Sequence, residues 1–359
     1  MIIDYTFYLV ALIPSLIYLL GLYAKNNNFE KIAFLLLLLI TALRYNVGGD
    51  YSNYYIIFNN IQNGELLYLN EPLFLLLNKL IIWLDLPFNS ILLIADGFLF
   101  YTLYKIFNTV EKKYRFFLFF LFMFSFDAYW SNLIYLRQEI AMTFFLLSIQ
   151  YIKKESFIKF FILIFIGSLF HNILFLFLPL YFIKNITLKR LILMFFLIAV
   201  SVYFTTYIID ILDLKQFLYY LRQENNTSIT IGYMVKLFIF TLGLYFFKYI
   251  KNIYFTLFLI GQFLSIVKIY VPMIGRIELY FIIFHIYGLY MIMKLLHKST
   301  NKYIVPLFMI IALSYNLLSL NKSILQKTDY CFWDRYKIIL FEDNDLQNVT
   351  NKWIYREGK

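Results

Sequence analysis

Long, nearly charge-free apolar runs recur along the whole chain, and no other feature limits its folding so strongly. They lie at 4–23, 31–43, 88–107, 116–134, 135–152, 190–212, 231–247, 253–270, 277–296 and 303–320. Most approach the roughly 20 residues that an α-helix needs to cross the hydrocarbon core of a bilayer; 31–43 does so only if extended backwards. Two further stretches fit badly as single spans. Residues 72–84 are too few, and 157–183 is long and interrupted by His171-Asn172. Both predict short or re-entrant elements, which membranes tolerate where the backbone is buried in protein or lines a wet cavity. The expected fold is all-α: a polytopic transmembrane helical bundle of about 10–13 membrane segments, open to a GT-C-like arrangement. The membrane domain is expected over 1–320, with outer loops at 44–71 and 213–230, and a C-terminal tail at 321–359 lying along the interface.

Composition excludes an ordinary soluble domain. Hydrophobic residues make up 62% of the chain and charged residues 15%, against about half and a quarter in soluble proteins. The 42 Phe and 33 Tyr reflect partly codon bias and partly the preference of Tyr for the membrane interface. The first run lacks a basic leader and a small-residue cleavage site, so it is expected to remain as a helix. Cys331, the single cysteine, excludes an intramolecular disulfide and any cysteine-based metal cluster.

Charge then gives orientation. Five short basic clusters (Lys105 to Arg115, Lys153 to Lys159, Lys184 to Arg190, Lys248 to Lys251, Lys294 to Lys302), with Lys25 and Lys31, hold 17 of the 32 Lys and Arg. Only Glu30, Glu111 and Glu155 are acidic in these loops. Positively charged loops stay cytoplasmic, and one topology puts them all inside: ten full spans, both termini outside, and the two odd stretches entering and leaving on one face. The net charge of +11 is thus mainly a topology signal. It does not call for nucleic acid, and no nucleic-acid-binding motif is present.

On that topology Arg44, Asp50, Glu71, Arg137, Glu139, Arg222, Glu224, Arg276 and Glu278 gather at outer helix ends or outer loops. Arg44, Arg137 and Arg276 stand at the edges of apolar segments. A guanidinium stays charged at any working pH and grips phosphate oxygens in a two-pronged fork, so arginines converging from separate helices would hold a pyrophosphate. Against this stands the ordinary snorkelling arginine at a helix end.

The stretch from Arg44 to Phe58 is more specific. Gly48-Gly49 allows a tight turn with positive φ, and Asp50 is placed to cap a short helix on which positions 50, 54 and 58 share a face. Asp96 and Lys79 fall inside apolar segments and are expected to pair with each other or face a cavity. Tyr51, Tyr54, Tyr55 and Trp130 are positioned near the outer rim, where aromatic faces stack on sugars.

Four pieces in order, Arg44-Tyr-Asn-Val-Gly-Gly-Asp50-Tyr51 with Tyr54 and Phe58, Leu136-Arg137-Gln138-Glu139-Ile140-Ala141, Phe170-His171-Asn172 running to Pro179, and Gly275-Arg276-Ile277-Glu278-Leu279-Tyr280, resemble the EpsG family of exopolysaccharide proteins, related in role to Wzy-type O-antigen and capsule polymerases. The resemblance implies a multi-pass protein of the bacterial cytoplasmic membrane with its active site facing outward. Its substrates would be oligosaccharide repeat units on undecaprenyl diphosphate, with the growing glycan moved from one carrier onto the sugar of another. No cofactor and no metal is implied, and a chain-length regulator is an expected partner besides the membrane lipid.

Within that reading, Arg44, Arg137 and Arg276 would hold the diphosphates, offsetting charge that grows as the glycosidic bond breaks. Tyr51, Gln138 and Glu278 are further candidates for substrate contact. Asp50, Glu139 and His171 are the candidate bases for the acceptor hydroxyl, left unranked, although an aspartate serving as a helix cap would be a poor base. Arg276 and Glu278, like Arg137 and Glu139, are two residues apart and point in different directions on a helix, so neither pair is expected to be a salt bridge. An O-antigen ligase-like transferase and a lipid-linked oligosaccharide flippase are the competing functions. A membrane acyltransferase would want an acid in a fixed motif with its histidine, which Phe170-His171-Asn172 lacks.

Overall fold

The computed structural model describes residues 6–65, 70–211, 231–268, 271 and 274–299. The expected outer loop at 213–230, the apolar run at 303–320, the tail at 321–359 and Cys331 lie outside these residues. The regular elements among the described residues are all helices, without strands. The chain divides into two compact units. Of the described residues, the first takes in 6–65, 70–148 and 161–175, and the second 149–160, 176–211, 231–268, 271 and 274–299.

In the first unit α1 (Thr6–Tyr23) and α2 (Asn27–Ala42) form a tight antiparallel pair. Asn26 caps α2, its side-chain oxygen accepting from the Asn28 amide at 2.9 Å, the usual remedy for an orphan donor at a helix start. Next come α3 (Tyr51–Gln62), α4 (Pro72–Trp83), α5 (Asn89–Asn108) and α6 (Lys112–Phe124). α2 packs along α5, and α1 along α6. At one end Arg115 pairs with the buried Glu30 at 3.3 Å and donates to the carbonyls of Val110 and Asn108. There too Lys112 reaches Asn27 at 3.0 Å. Two basic loops expected on one side of the membrane therefore sit at one end of the unit.

At the opposite end α3, α4, α5 and the start of α7 (Leu136–Lys153) share an apolar core. Tyr51, Tyr54 and Phe58, one face of α3, meet Phe74 and Ile81 of α4, Ile91, Leu92 and Ala95 of α5, and Leu136 and Ile140 of α7. The i, i+4 spacing anticipated for α3 is therefore the stripe that buries it.

The run at 116–134 is expected to be one helix, but α6 stops at Phe124. Ser125 turns the backbone extended (φ −95°, ψ 121°), and a single π-helical turn, Phe126–Trp130, follows. The buried Trp130 indole folds back to donate to the Met123 carbonyl at 3.2 Å, using an acceptor that the interrupted helix leaves open. Trp130 is therefore a core residue and does not offer its face to a sugar.

α8 (Phe157–Ser168) ends before His171, and a 3-10 helix, Asn172–Ile183, continues the chain, so the break expected at His171-Asn172 is present. The second unit continues with α9 (Leu188–Ile211), α10 (Ile231–Phe247), α11 (Ile253–Val267), the single turn α12 (Ile274–Glu278), a 3-10 turn Leu279–Phe281, and α13 (Ile282–Ser299). α11 is the hub, packed against α10 and α13. Gly261 makes room for His285: a Cβ there would lie 2.5 Å from the imidazole Nε2. Close approach through a glycine is the usual way for apolar helices to pack without a hydrophobic drive between them.

Ten full spans were expected. Among the described residues two helices, Asn89–Asn108 and Ile274–His297, are long and apolar enough to cross a membrane. Leu9–Tyr23, Pro72–Trp83, Phe157–Ser168, Asn172–Ile183, Gly232–Phe247 and Ile253–Val267 are apolar but shorter. The break at Ser125 shortens a run whose hydropathy alone looks continuous. Large apolar side chains lie exposed on the outer faces of α1, α2, α8 and α9, among them Leu16, Leu20, Leu35, Ile158 and Phe196, which is a surface for lipid or protein and not for water.

Candidate functional site

Three of the four sequence pieces meet in the first unit. The chain leaves α2 at Leu43 and makes a compact loop before α3. Asn46 (φ 51°) and Gly48 (φ 100°) are both left-handed there, and Ser52 Oγ donates to Asn46 Oδ1 at 2.9 Å. A Cβ at position 48 would stand 2.4 Å from the Leu133 carbonyl oxygen. Gly48 therefore serves twice, permitting the turn and letting the loop lie directly on the segment that leads into Arg137. At the loop's start Asn89, from the beginning of α5, donates to the carbonyls of Ala42 and Arg44 at 2.7 and 3.2 Å.

Asp50 sits at the N-cap position of α3, but its side chain makes no capping bond; Asn53 Nδ2 approaches it at 3.5 Å. The capping bond expected of Asp50 is therefore not made.

Two charged clusters result. In the first, Arg44 Nη1 donates to Asp96 Oδ2 at 2.7 Å and to the Thr41 carbonyl at 2.7 Å, and both charged side chains are 1% exposed. Asp96 lies seven residues into α5, about 10 Å from its start at 1.5 Å per residue. Glu139 approaches from the first turn of α7, also buried, with Asp96 and Arg44 as the charged groups that act on it. Neither Glu139 oxygen, nor Asp96 Oδ1, has a hydrogen-bond donor among the described residues. A second buried acid thus stands beside the Arg44–Asp96 ion pair. Lys79, expected to pair with Asp96 or face a cavity, is exposed on α4, and Asp96 pairs with Arg44, whose loop folds back over the start of α5.

In the second cluster Arg137, at the start of α7, is ion-paired with Glu71, whose side chain projects from the residue before Pro72 and does not cap its own helix α4. These side chains are 30% and 11% exposed. The guanidinium carbon stands 5.7 Å from the Tyr54 ring centre and 5.9 Å from that of Phe74, cation–π contacts of about 0.5–1 kcal/mol each. It also reaches the Tyr54 hydroxyl. Burial pushes the Tyr54 phenol up to about 12, with the positive charge of Arg137 acting against it, so Tyr54 keeps its proton at neutral pH and can donate it in a hydrogen bond.

The third piece adjoins this cluster. The Leu73 amide, in the first turn of α4, donates to the Leu169 carbonyl at 3.2 Å. Phe170 stacks on Phe144 of α7 with 5.9 Å between centroids, which leaves His171 half-buried two residues beyond that bond. Tyr51 is buried edge-on to Phe88 at 5.4 Å, and Gln138 is buried too. The fourth piece lies in the second unit, where Glu278 is buried and ion-paired with Lys268 while Arg276 is exposed.

The family model of the EpsG family matches residues 28–332, a range that holds all four pieces. The chain belongs to the EpsG family. Its members are Wzy-type polysaccharide polymerase-like membrane proteins, so membrane association and a place in polysaccharide biosynthesis follow. No curated protein and no solved structure matches the chain.

In this EpsG-family chain the partners in these charged pairs were only partly visible in the sequence. Neither Arg137 nor Arg276 pairs with the acid two residues on, as expected from helix geometry. Glu71, Asp96 and Lys268, which do take part in these pairs, had no predicted assignment there. The available signals were the carboxylate at the rim of a short apolar segment and the one in the middle of a span.

Proposed function

We propose that this protein is an oligosaccharide repeat-unit polymerase. It works as a polytopic helical bundle in the bacterial cytoplasmic membrane, with the Arg137 cluster facing outward. It moves a growing glycan from undecaprenyl diphosphate onto the sugar of a second lipid-linked repeat unit. The observation that carries this reading is Arg137: a guanidinium on a family motif, partly exposed at the start of a membrane helix, flanked by aromatic faces and held by a carboxylate that an incoming phosphate can replace. A forked donor of fixed positive charge suits a leaving diphosphate, because it binds the transition state, where negative charge accumulates, better than the substrate. Guanidinium groups supply the positive charge that the departing diphosphate needs.

Arg44 acts on this site from behind. Tied to Asp96 and to the loop that docks on Leu133, it holds the segment before Arg137 in place. Arg276, exposed at the surface of the second unit, is the residue we assign to contact with a lipid diphosphate there. Asp50 and His171 remain accessible enough to meet the acceptor, whereas Glu139 is sealed.

The test is a deletion strain, with its lipid-linked glycans extracted and its surface glycan sized. A polymerase defect leaves single repeat units made and exported but not joined. If single units accumulate on the inner face and nothing reaches the surface, the protein is a flippase and the reading fails. If polymer still forms but stays on its lipid carrier, the protein is a ligase-like transferase.

A further inference from the structure

The charged groups of the first unit are unevenly open. Asp96 and Glu139 are buried beside Arg44, and Glu30 is sealed against Arg115 at the other end. Glu71 alone among these acids has a side chain that combines partial exposure with direct contact to a partly exposed guanidinium. Its position is unusual for an acid before a helix. It stands at the N-cap of α4, ahead of Pro72, yet turns away from the helix amides to Arg137. The α4 start is fixed independently by the bond from the Leu73 amide to the Leu169 carbonyl. The carboxylate can therefore leave Arg137 without unravelling the helix that carries it.

We propose that Glu71 is the general base of the transfer, an inference that rests on the polymerase reading above. In the resting site Glu71 occupies Arg137. When the donor's diphosphate binds, its oxygens take the guanidinium, because a phosphate carries more charge and more acceptor oxygens than a carboxylate. Glu71 is then displaced, still beside the phosphate, with its oxygens open. The acceptor sugar's hydroxyl gives its proton to the Glu71 carboxylate as its oxygen forms a bond to the donor's anomeric carbon. The bond from that carbon to the diphosphate oxygen breaks, and the electron pair leaves on the lipid diphosphate held by Arg137. Glu71 afterwards loses the proton to water. Release of the lipid diphosphate lets the carboxylate return to Arg137, which restores the resting site and favours product departure. One contact thus couples donor binding to exposure of the base, so that the base is bare only when there is a glycan to transfer.

The experiment uses the full-length protein in lipid nanodiscs with a purified lipid-linked repeat unit, comparing wild type, Glu71→Gln and Glu71→Asp. Single-turnover extension is measured alongside binding of undecaprenyl diphosphate as the probe. A base lost to Glu71→Gln costs about 100-fold or more in extension, while the probe binds as tightly as to wild type or tighter, its competitor having been neutralised. Glu71→Asp, which keeps the carboxylate on a shorter arm, recovers part of the rate. Glu71→Gln extending within about threefold of wild type overturns the assignment, as does Glu71→Gln losing probe binding together with extension, the pattern of a purely structural acid. A wild-type protein that extends nothing under conditions where it binds the probe overturns the polymerase reading itself, and the base with it.

Discussion

The clusters around Arg44 and Arg137 contain the same chemistry, an arginine against a carboxylate, and differ almost completely in setting. Arg44 and Asp96 are each 1% exposed, and Glu139 adds a second acid beside them. Arg137 and Glu71 are 30% and 11% exposed, with two aromatic rings and no second carboxylate described against the guanidinium. A buried guanidinium already facing two carboxylates offers nothing to an incoming anion. A half-open one held by one carboxylate and a tyrosine hydroxyl has a face left for an anion. The lesson is that arginines at equivalent places in a hydropathy profile differ in how much of their charge their neighbours leave open.

The comparison is broken first by stability. Asp96→Ala breaks the buried Arg44–Asp96 ion pair, a loss of about 3–5 kcal/mol. Thermal unfolding in detergent is expected to show a large drop in Tm, and Arg137→Ala, whose partner can turn to solvent, a small one. Equal drops for the two variants would mean that the clusters are not different in kind. Gly48→Ala comes next. The added methyl group meets the Leu133 carbonyl at a left-handed position, a strain of about 1–3 kcal/mol, and the loop it lifts is the one that backs Arg137. Both Tm and polymer length are expected to fall, and a variant with normal values for both would remove the loop from the account. Lys79→Ala is the smallest change. Because Lys79 is exposed on α4 and Arg44 has taken Asp96, Tm should move by no more than about 2 °C; a large drop would restore the Lys79–Asp96 pairing read from the sequence.

Much of this architecture was legible in the chain. The all-helical class, the shortness of 72–84, the interruption at His171-Asn172 and the buried face of α3 all follow from residue pattern, because apolar periodicity and breaks in it are local properties. The break within 116–134 was not legible. Nothing in the hydropathy of 116–134 announces the turn at Ser125, since it depends on Trp130 finding the Met123 carbonyl, a contact made only on folding. The site was legible in its residue types but not in its pairings. Arg44 and Arg137 were found from their place at the rims of apolar segments, whereas Asp96 and Glu71 became their partners through packing across 52 and 66 residues of sequence. Helix geometry did exclude the tempting neighbours Glu139 and Glu278, and the structure agrees.

The most direct test of the account is the surface-glycan ladder of a deletion strain complemented with Arg137→Ala at wild-type protein levels. The account predicts glycan one repeat unit long, with synthesis and export intact, because the only change is loss of the guanidinium that holds the leaving diphosphate. A normal ladder from the well-expressed variant would contradict it, making Arg137 an ordinary arginine at a membrane edge.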